Sequence, residues 1–138
     1  MPLPEQTRFQ QWRLAFDDKM PIYRQIILQF SRAFVRSEIA PGERILSIRE
    51  MSALLQVNTN TMQRAYQEME RDGLISSKRG TGYFFTEDEK MIEKTRETLA
   101  FGSQSRFVEE MRALGCQDGE ILEKLKIYMK KGAGNGNK

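Results

Sequence analysis

Short polar and basic side chains are concentrated in one stretch of the chain, which carries Asn58, Thr59, Asn60, Thr61, Gln63 and Arg64. These residue types can recognise a DNA duplex, because Asn and Gln pair with adenine, Arg pairs with guanine, and Thr contacts phosphate or a thymine methyl group. The alternative is an ordinary solvated helix face that Asn58 merely caps. Whether other cations surround the stretch decides between the two interpretations.

Cationic side chains flank this stretch on both sides. Arg44 and Arg49 precede it, and the segment Lys78-Arg79-Gly80-Thr81-Gly82 follows it. Residues 21–86 contain nine basic and six acidic side chains, so they carry the whole net charge of +3, and both flanking segments are neutral. Cations on three separate elements favour contacts to a nucleic-acid backbone. For Arg49 the alternative is a weak surface ion pair with Glu43 or Glu50.

The elements that must position these side chains follow from hydrophobic spacing and from cap residues. Apolar residues at four-residue spacing after Pro21 predict a first helix that ends near Glu38. The segment Ser47-Ile48-Arg49-Glu50 is a capping box that starts a second helix, and the apolar face of this helix directs Arg49 to the opposite, outward side. Asn58 is a good N-cap for a third helix, and Asp72-Gly73 ends it.

A hairpin is predicted by two extended runs, Leu74–Ser77 and Tyr83–Thr86. Its tip is the basic segment that begins at Lys78. The run Arg44-Ile45-Leu46 predicts a further short extended piece. The sequence therefore predicts a mainly α fold with a small β-hairpin, namely a winged helix-turn-helix followed by two C-terminal helices. Its domains are an N-terminal arm (1–20), the winged domain (21–86), a helical tail (87–130) and a disordered end (131–138).

Several classes of function are excluded by composition. Histidine is absent, which removes the usual general base and the commonest zinc ligand, and Cys116 is the only cysteine. We therefore expect no enzyme, no cofactor and no metal. No apolar run is long enough to span a bilayer, and no basic stretch followed by an apolar block marks the N-terminus. The expected compartment is the cytoplasm.

The motifs together resemble the winged-helix domain of the GntR family of bacterial transcription regulators. The resemblance runs from Pro21-Ile22-Tyr23-Arg24 through residues 39–50 and 57–66 to Arg79-Gly80-Thr81-Gly82, about half of the chain. It implies a DNA site made from Arg49, the start of the third helix and the wing tip with Arg79 and Gly80. Thr59 departs from the family pattern, in which arginine or proline is common.

The residues after the wing form two apolar stripes at helical spacing, which predict two amphipathic helices. Only 52 residues follow the wing, and the chain thus resembles the small YtrA-like subfamily, whose helical tail implies dimerisation and whose members often control transporter genes. Two lone helices cannot bury both apolar faces, so the stripes need the winged domain, each other or a second subunit. The alternative to a dimer is a self-contained helical hairpin. The predicted dimerisation residues are Ile92, Leu99, Phe107, Met111, Leu114, Ile121, Leu125 and Tyr128.

The sequence thus predicts a homodimeric, sequence-specific DNA-binding regulator, a repressor by family analogy, on a pseudo-palindromic double-stranded DNA operator. Lys78, Arg79 and Arg44 are expected to contact phosphates, and Arg49, Asn60, Gln63 and Arg64 base edges. An unidentified small-molecule effector would act through its preference for one dimer geometry. The alternative function is a winged-helix protein-interaction module.

Overall fold

The computed structural model describes Phe9, Trp12 and residues 19–134. Along this part of the chain the elements are α1 (Ile22–Val35), β1 (Arg44–Ile45), α2 (Ile48–Leu55), α3 (Thr59–Arg71), β2 (Ile75–Lys78), β3 (Gly82–Phe85), α4 (Glu89–Ala113) and α5 (Asp118–Gly134). This order confirms the predicted fold class, a winged helix-turn-helix followed by two helices.

The strands form a three-stranded antiparallel sheet in the order β1-β3-β2. The predicted hairpin of β2 and β3 is confirmed, with Ser76 opposite Phe84. The sequence did not predict that β1 pairs with the other side of β3, where Arg44 is also opposite Phe84. Two backbone hydrogen bonds, between Gly42 N–H and Phe85 O and between Phe85 N–H and Glu43 O, hold this short strand in the sheet.

The predicted helix boundaries at the helix-turn-helix are confirmed. The Ser47 side chain accepts from the Glu50 N–H at 3.0 Å, and the Glu50 carboxylate accepts from the Ser47 N–H at 2.9 Å, which completes the capping box of α2. Gln56, in the left-handed conformation with φ of 56°, ends this helix. The turn from Gln56 to Asn58 then leads directly into α3.

The core lies between α1, α3 and the sheet. Helix α1 packs on α3, and its Phe30 ring meets the edge of Tyr66 with ring centroids 6.0 Å apart. Phe34, one turn further along α1, stacks on Phe85 of β3 at 4.9 Å. These aromatic contacts fix the first helix against both the third helix and the wing strands.

The described part of the N-terminal arm packs on the winged domain of the same chain. Phe9 is buried, and the edge of the Trp12 ring meets Phe30 at 4.8 Å. These two residues of the arm therefore contact the winged domain of their own chain. Leu14 and Phe16, two further apolar residues of the arm, lie outside the described residues.

The chain divides into two compact units, Met1–Glu97 and Thr98–Lys138. The start of α4 belongs to the first unit, because Ile92 packs against its core. In the same unit, the Arg96 Nη2 group donates to the Val35 carbonyl oxygen at 2.7 Å. Arg96 thereby satisfies one of the carbonyl oxygens left free at the C-terminal end of α1. The helical unit therefore begins about ten residues later than the predicted boundary at 86.

Within the second unit, α5 extends to Gly134, so the predicted disorder of 131–138 is wrong for 131–134. Adding a residue to an existing helix gains a hydrogen bond without a new nucleation step, which allows the helix to continue through a glycine-containing sequence. Residues 135–138 lie outside the described residues. Helix α4 is continuous through Gly102. None of the described helices is both long and apolar enough to cross a membrane.

Candidate nucleic-acid interface

The N-terminal turns of α3 present a polar face because the opposite face of the helix is buried. Met62, Ala65, Tyr66 and Met69 supply the buried face. On the other side Thr59, Asn60, Gln63 and Arg64 are exposed, and Thr61 is half-buried. Asn58 is also exposed, but its Oδ1 accepts from the Asn60 N–H at 2.7 Å, so this side chain is engaged as the helix cap. The side-chain amides of Asn60 and Gln63 make no hydrogen bond among the described residues, so both can pair with base edges.

Two side-chain hydrogen bonds fix the position of α3. The buried Tyr66 hydroxyl donates to the Leu46 carbonyl at 2.7 Å, which joins the helix to the chain just after β1. At the C-terminal end of the helix, the Ser77 hydroxyl of β2 donates to Glu70 at 2.8 Å. The helix is therefore held at its middle and at its C-terminal end by groups that belong to the sheet or follow it directly.

Arg49, the second residue of α2, is exposed on the side of the helix opposite the buried Met51. Among the described residues it has neither an ion pair nor a hydrogen bond, because Glu50 is bonded back to Ser47 and Glu43 accepts from the Ala40 N–H. The same bonds from Ser47 lower the pKa of Glu50, and the charge of Arg44 lowers it further. Arg49 is accordingly available for a partner outside the chain.

The wing tip is a tight turn of three residues, Arg79, Gly80 and Thr81, between the paired positions Lys78 and Gly82. The Thr81 N–H and its hydroxyl both donate to the Lys78 carbonyl, at 2.9 and 3.0 Å. Gly80 has φ of +79°, a backbone conformation that favours glycine. Arg79 is exposed at the tip and has no partner within the described part of the chain.

The other two basic residues of the wing region are engaged within the fold. Arg44 donates from Nε to the Thr81 carbonyl at 3.0 Å, so this side chain of β1 supports the wing tip. The Lys78 ammonium nitrogen lies 4.6 Å from the centroid of the Phe84 ring. Both cations remain on the surface, where they can add to the attraction for phosphate.

Arg64 is also engaged, and its partner is on the first helix. Its guanidinium carbon lies 3.8 Å from the centroid of the Tyr23 ring, and Nη2 donates to the Tyr23 hydroxyl oxygen at 3.1 Å. Sequence reasoning missed Tyr23 and Thr81 as residues that support this surface. Motifs reveal neighbours along the chain, whereas Tyr23 and Arg64 are 41 positions apart.

The predicted dimerisation residues have very different exposures. Ile92 packs against the winged core and Ile121 is buried, so neither offers a second subunit the free apolar surface that was predicted. Leu99, Phe107 and Met111 are half-buried, and Leu114, Leu125 and Tyr128 are exposed. The structure adds large exposed apolar residues that the stripes had not included, namely Phe101, Leu122, Ile127 and Met129.

This surface combines donors and acceptors suited to base edges on α3 with unpaired cations on α2 and the wing. All three elements belong to the same compact unit and pack through α3, which contacts both α2 and β2. Base-edge groups and flanking cations are the two kinds of contact that a sequence-specific DNA-binding surface needs. Binding of a nucleic acid is the chemistry that these groups support.

Comparisons with known proteins agree with this assignment. The family model for bacterial regulatory proteins of the gntR family matches residues 13–85. The HTH-type transcriptional regulator YhcF of Bacillus subtilis (strain 168) is 38% identical over 117 residues, which cover 85% of this chain and 97% of YhcF. The HTH-type transcriptional repressor YtrA of the same organism is 34% identical over 113 residues, with 80% and 82% of the two chains covered. A solved GntR family transcriptional regulator from Listeria monocytogenes superimposes with a TM-score of 0.73 at 38% identity, and the match covers 84% of this chain and 98% of that one.

Proposed function

Because this chain belongs to the gntR family of bacterial regulatory proteins and is a DNA-binding transcription regulator, we propose that it acts as a homodimeric repressor. Two winged domains related by a two-fold axis would meet two half-sites of a pseudo-palindromic operator. Chromosomal DNA as the target implies a site of action in the cytoplasm. Repression is proposed from the 34% identity to the repressor YtrA.

One observation carries the assignment of the operator site, namely that exposed cations without partners flank the polar face of α3. Arg49 and Arg79 are these cations, and neither is bonded to another described residue. We assign Arg49, Asn60 and Gln63 to base edges and Arg79 to phosphate. Thr59 and Thr61 add hydroxyl groups, and Gly80 allows close approach of the wing backbone.

Two of the expected DNA contacts acquire a supporting role in this proposal. Asn58 holds the N-terminus of α3 through its bond to the Asn60 N–H, and Arg44 holds the wing tip through its bond to Thr81. Loss of either side chain would therefore move groups that face DNA. Their effect on affinity includes this positioning as well as any direct contact of their own.

The second unit supports the homodimer. Leu122 is 62% exposed, Tyr128 is 73% exposed and Leu114 is 78% exposed, although the chain carries 30% charged residues to cover its surface. Exposed apolar side chains in such density are typical of a surface that another protein covers. A second copy of the same helices is the occupant that this proposal requires. We further propose, from the resemblance to the YtrA-like subfamily, that the target genes encode transporters. A small-molecule effector would act through its preference for one dimer geometry.

The test is the selection of duplexes from a random pool by the purified full-length protein. The affinity for the most enriched duplex is then compared with the affinity for a scrambled duplex at about 0.15 M salt. The proposal predicts an enriched inverted repeat that binds far more tightly than the scramble and is weakened by Arg49→Ala. Arg32→Ala, which removes an exposed arginine from the far end of α1, is the matched control. No enrichment, with only weak salt-sensitive binding, would instead support the protein-interaction module.

A further inference from the structure

The Arg64 guanidinium is held in one orientation by three contacts. Its guanidinium carbon lies over the Tyr23 ring, 3.8 Å from the ring centroid. Nη2 donates to the Tyr23 hydroxyl oxygen at 3.1 Å, and Nε donates to Glu68 one turn along α3 at 3.4 Å. The side chain is nevertheless 60% exposed. An arginine on the exposed face of α3 is thus oriented before any ligand arrives.

The contacts leave a cluster of hydrogen-bond donors without acceptors. A guanidinium has five N–H groups, and the Tyr23 and Glu68 contacts use two of them. The N–H groups on Nη1 and the hydroxyl hydrogen of Tyr23 have no acceptor among the described residues. Several donors around one positive charge are the chemistry that binds a phosphate oxygen.

The position of the pair favours the phosphate backbone over a base edge. Tyr23 is the second residue of α1 and packs against the winged core, so it draws Arg64 to the side of α3 that faces α1. A helix in the major groove has base edges along its central face and a phosphate strand on each side. A side chain held toward a neighbouring helix is therefore placed beside the base-reading face.

From this geometry we propose that Tyr23 is a positioning residue for Arg64, and that the guanidinium oriented in this way binds one phosphate of the DNA backbone. The inference rests on the DNA-binding function proposed above and assigns Arg64 a role different from the base contact expected from sequence. The exposed Arg64–Glu68 pair alone would orient the guanidinium only weakly. The aromatic face of Tyr23 adds the stacking contact that orients the planar group, which a lysine could not use in the same way.

The experiment compares Arg64→Ala, Tyr23→Leu, Tyr23→Phe and the double variant Tyr23→Leu/Arg64→Ala on the selected operator and on a scrambled duplex, each at several salt concentrations. Arg64→Ala is expected to weaken binding to both duplexes about tenfold and to flatten the log–log salt slope by about one. Tyr23→Leu should weaken both about threefold, and should add nothing when Arg64 is already alanine. Tyr23→Phe keeps the aromatic face and should retain most of the affinity.

Arg71→Ala is the matched control, since Arg71 lies on the same helix, also pairs with Glu68 and is 69% exposed, but has no aromatic partner among the described residues. Arg71→Ala should change both the affinity and the salt slope less than Arg64→Ala does. A second readout needs no DNA: the Nε–H proton of Arg64 should lose its ring-current shift in the NMR spectrum of Tyr23→Leu and keep it in Tyr23→Phe. This readout separates loss of positioning from a general loss of stability.

Two results would overturn the inference while the proposed function stands. The first is that Arg64→Ala weakens the operator but not the scramble, which would make Arg64 a base reader. The second is that the effects of Tyr23→Leu and Arg64→Ala on affinity simply add. If the wild-type protein does not distinguish operator from scramble, sequence-specific regulation fails instead, and the coupling measured on the scrambled duplex still decides the role of Tyr23.

Discussion

The hydroxyl group of Tyr66 donates a buried hydrogen bond to the carbonyl oxygen of Leu46 at 2.7 Å. Leu46 directly follows β1 and precedes the capping box of α2, so this one bond joins α3 to the point where the chain enters the helix-turn-helix. The Tyr66 ring also meets the edge of Tyr83 on β3, with centroids 4.9 Å apart. The rotation of α3 about its own axis, which decides which side chains face DNA, is fixed by these contacts.

Tyr66→Phe should therefore destabilise the protein, because it leaves the Leu46 carbonyl oxygen buried without this donor. We expect a loss of about 1–2 kcal/mol in the free energy of unfolding, measured by urea denaturation. Tyr83→Phe is the control, since its hydroxyl has no hydrogen-bond partner among the described residues, and it should cost less than about 0.5 kcal/mol. Equal losses in both variants would contradict the structural role of the Tyr66 bond.

Glu50→Ala should destabilise the protein by about 0.5–1 kcal/mol near neutral pH, because it removes one half of the capping box of α2. The pKa of Glu50 is lowered in the folded state, chiefly by the Ser47 N–H. A lowered folded-state pKa gives stability that is fully present above the unfolded-state value, which is near 4.5, and that is lost as pH falls through the folded-state pKa. Denaturation at a series of pH values should show the gap between wild type and Glu50→Ala closing below about pH 4.5.

Glu120→Ala provides the comparison for Glu50→Ala, because Glu120 is also acidic, exposed and in the first turn of a helix. Within the described part of the chain its carboxylate makes no hydrogen bond. A gap that closes equally in both variants would mean that general charge effects, and not the capping box, cause the pH dependence.

Replacement by alanine of two glycines in the second unit should change the stability of the protein in opposite directions. Both have space for a methyl group, since nothing lies within 4 Å of a Cβ at Gly115 and the nearest atom at Gly102 is 3.7 Å away. Gly102 lies inside α4, so Gly102→Ala should stabilise the protein by about 0.5–1 kcal/mol. Gly115 has φ of +91°, so Gly115→Ala should destabilise it by about 1 kcal/mol. Thermal unfolding checks both signs, and destabilisation by Gly102→Ala would contradict a continuous α4.

Arg79→Ala should weaken operator binding without changing stability. Arg79 is exposed at the wing tip, and its loss should change the free energy of unfolding by less than about 0.5 kcal/mol. The log–log slope of affinity against salt should flatten by about one for one phosphate contact. Lys90→Ala, which removes a positive charge from the start of α4, is the control. An unchanged slope with Arg79→Ala would exclude the wing tip from the interface.

Leu125→Glu should shift the protein from dimer to monomer, since it places a charge among the apolar residues of α5. We expect the dimer dissociation constant to rise at least about tenfold, measured by sedimentation at several protein concentrations. Lys124→Glu alters charge at the adjacent exposed position and should leave the dimer largely intact. A wild-type protein that is monomeric at these concentrations would exclude the tail as a dimerisation unit.

The helices, their caps and the winged order were predictable from sequence because their determinants are local. A capping box occupies four consecutive residues, and a buried helix face repeats every three or four positions. Ser47, Asn58 and Gly73 accordingly mark the helix ends where the structure has them. The exposed face of α3 follows from the same repeat, because it is the face of the helix opposite the buried apolar stripe.

Only the tertiary structure decided which distant groups meet. The pairing of β1 with β3, the contact of Arg44 with Thr81 and the stacking of Arg64 on Tyr23 join residues that are far apart in the chain. Packing of the whole core sets such contacts, and no local repeat encodes them. Sequence alone therefore identified the side chains suited to DNA, whereas the fold determined which of them remain free and which support their neighbours.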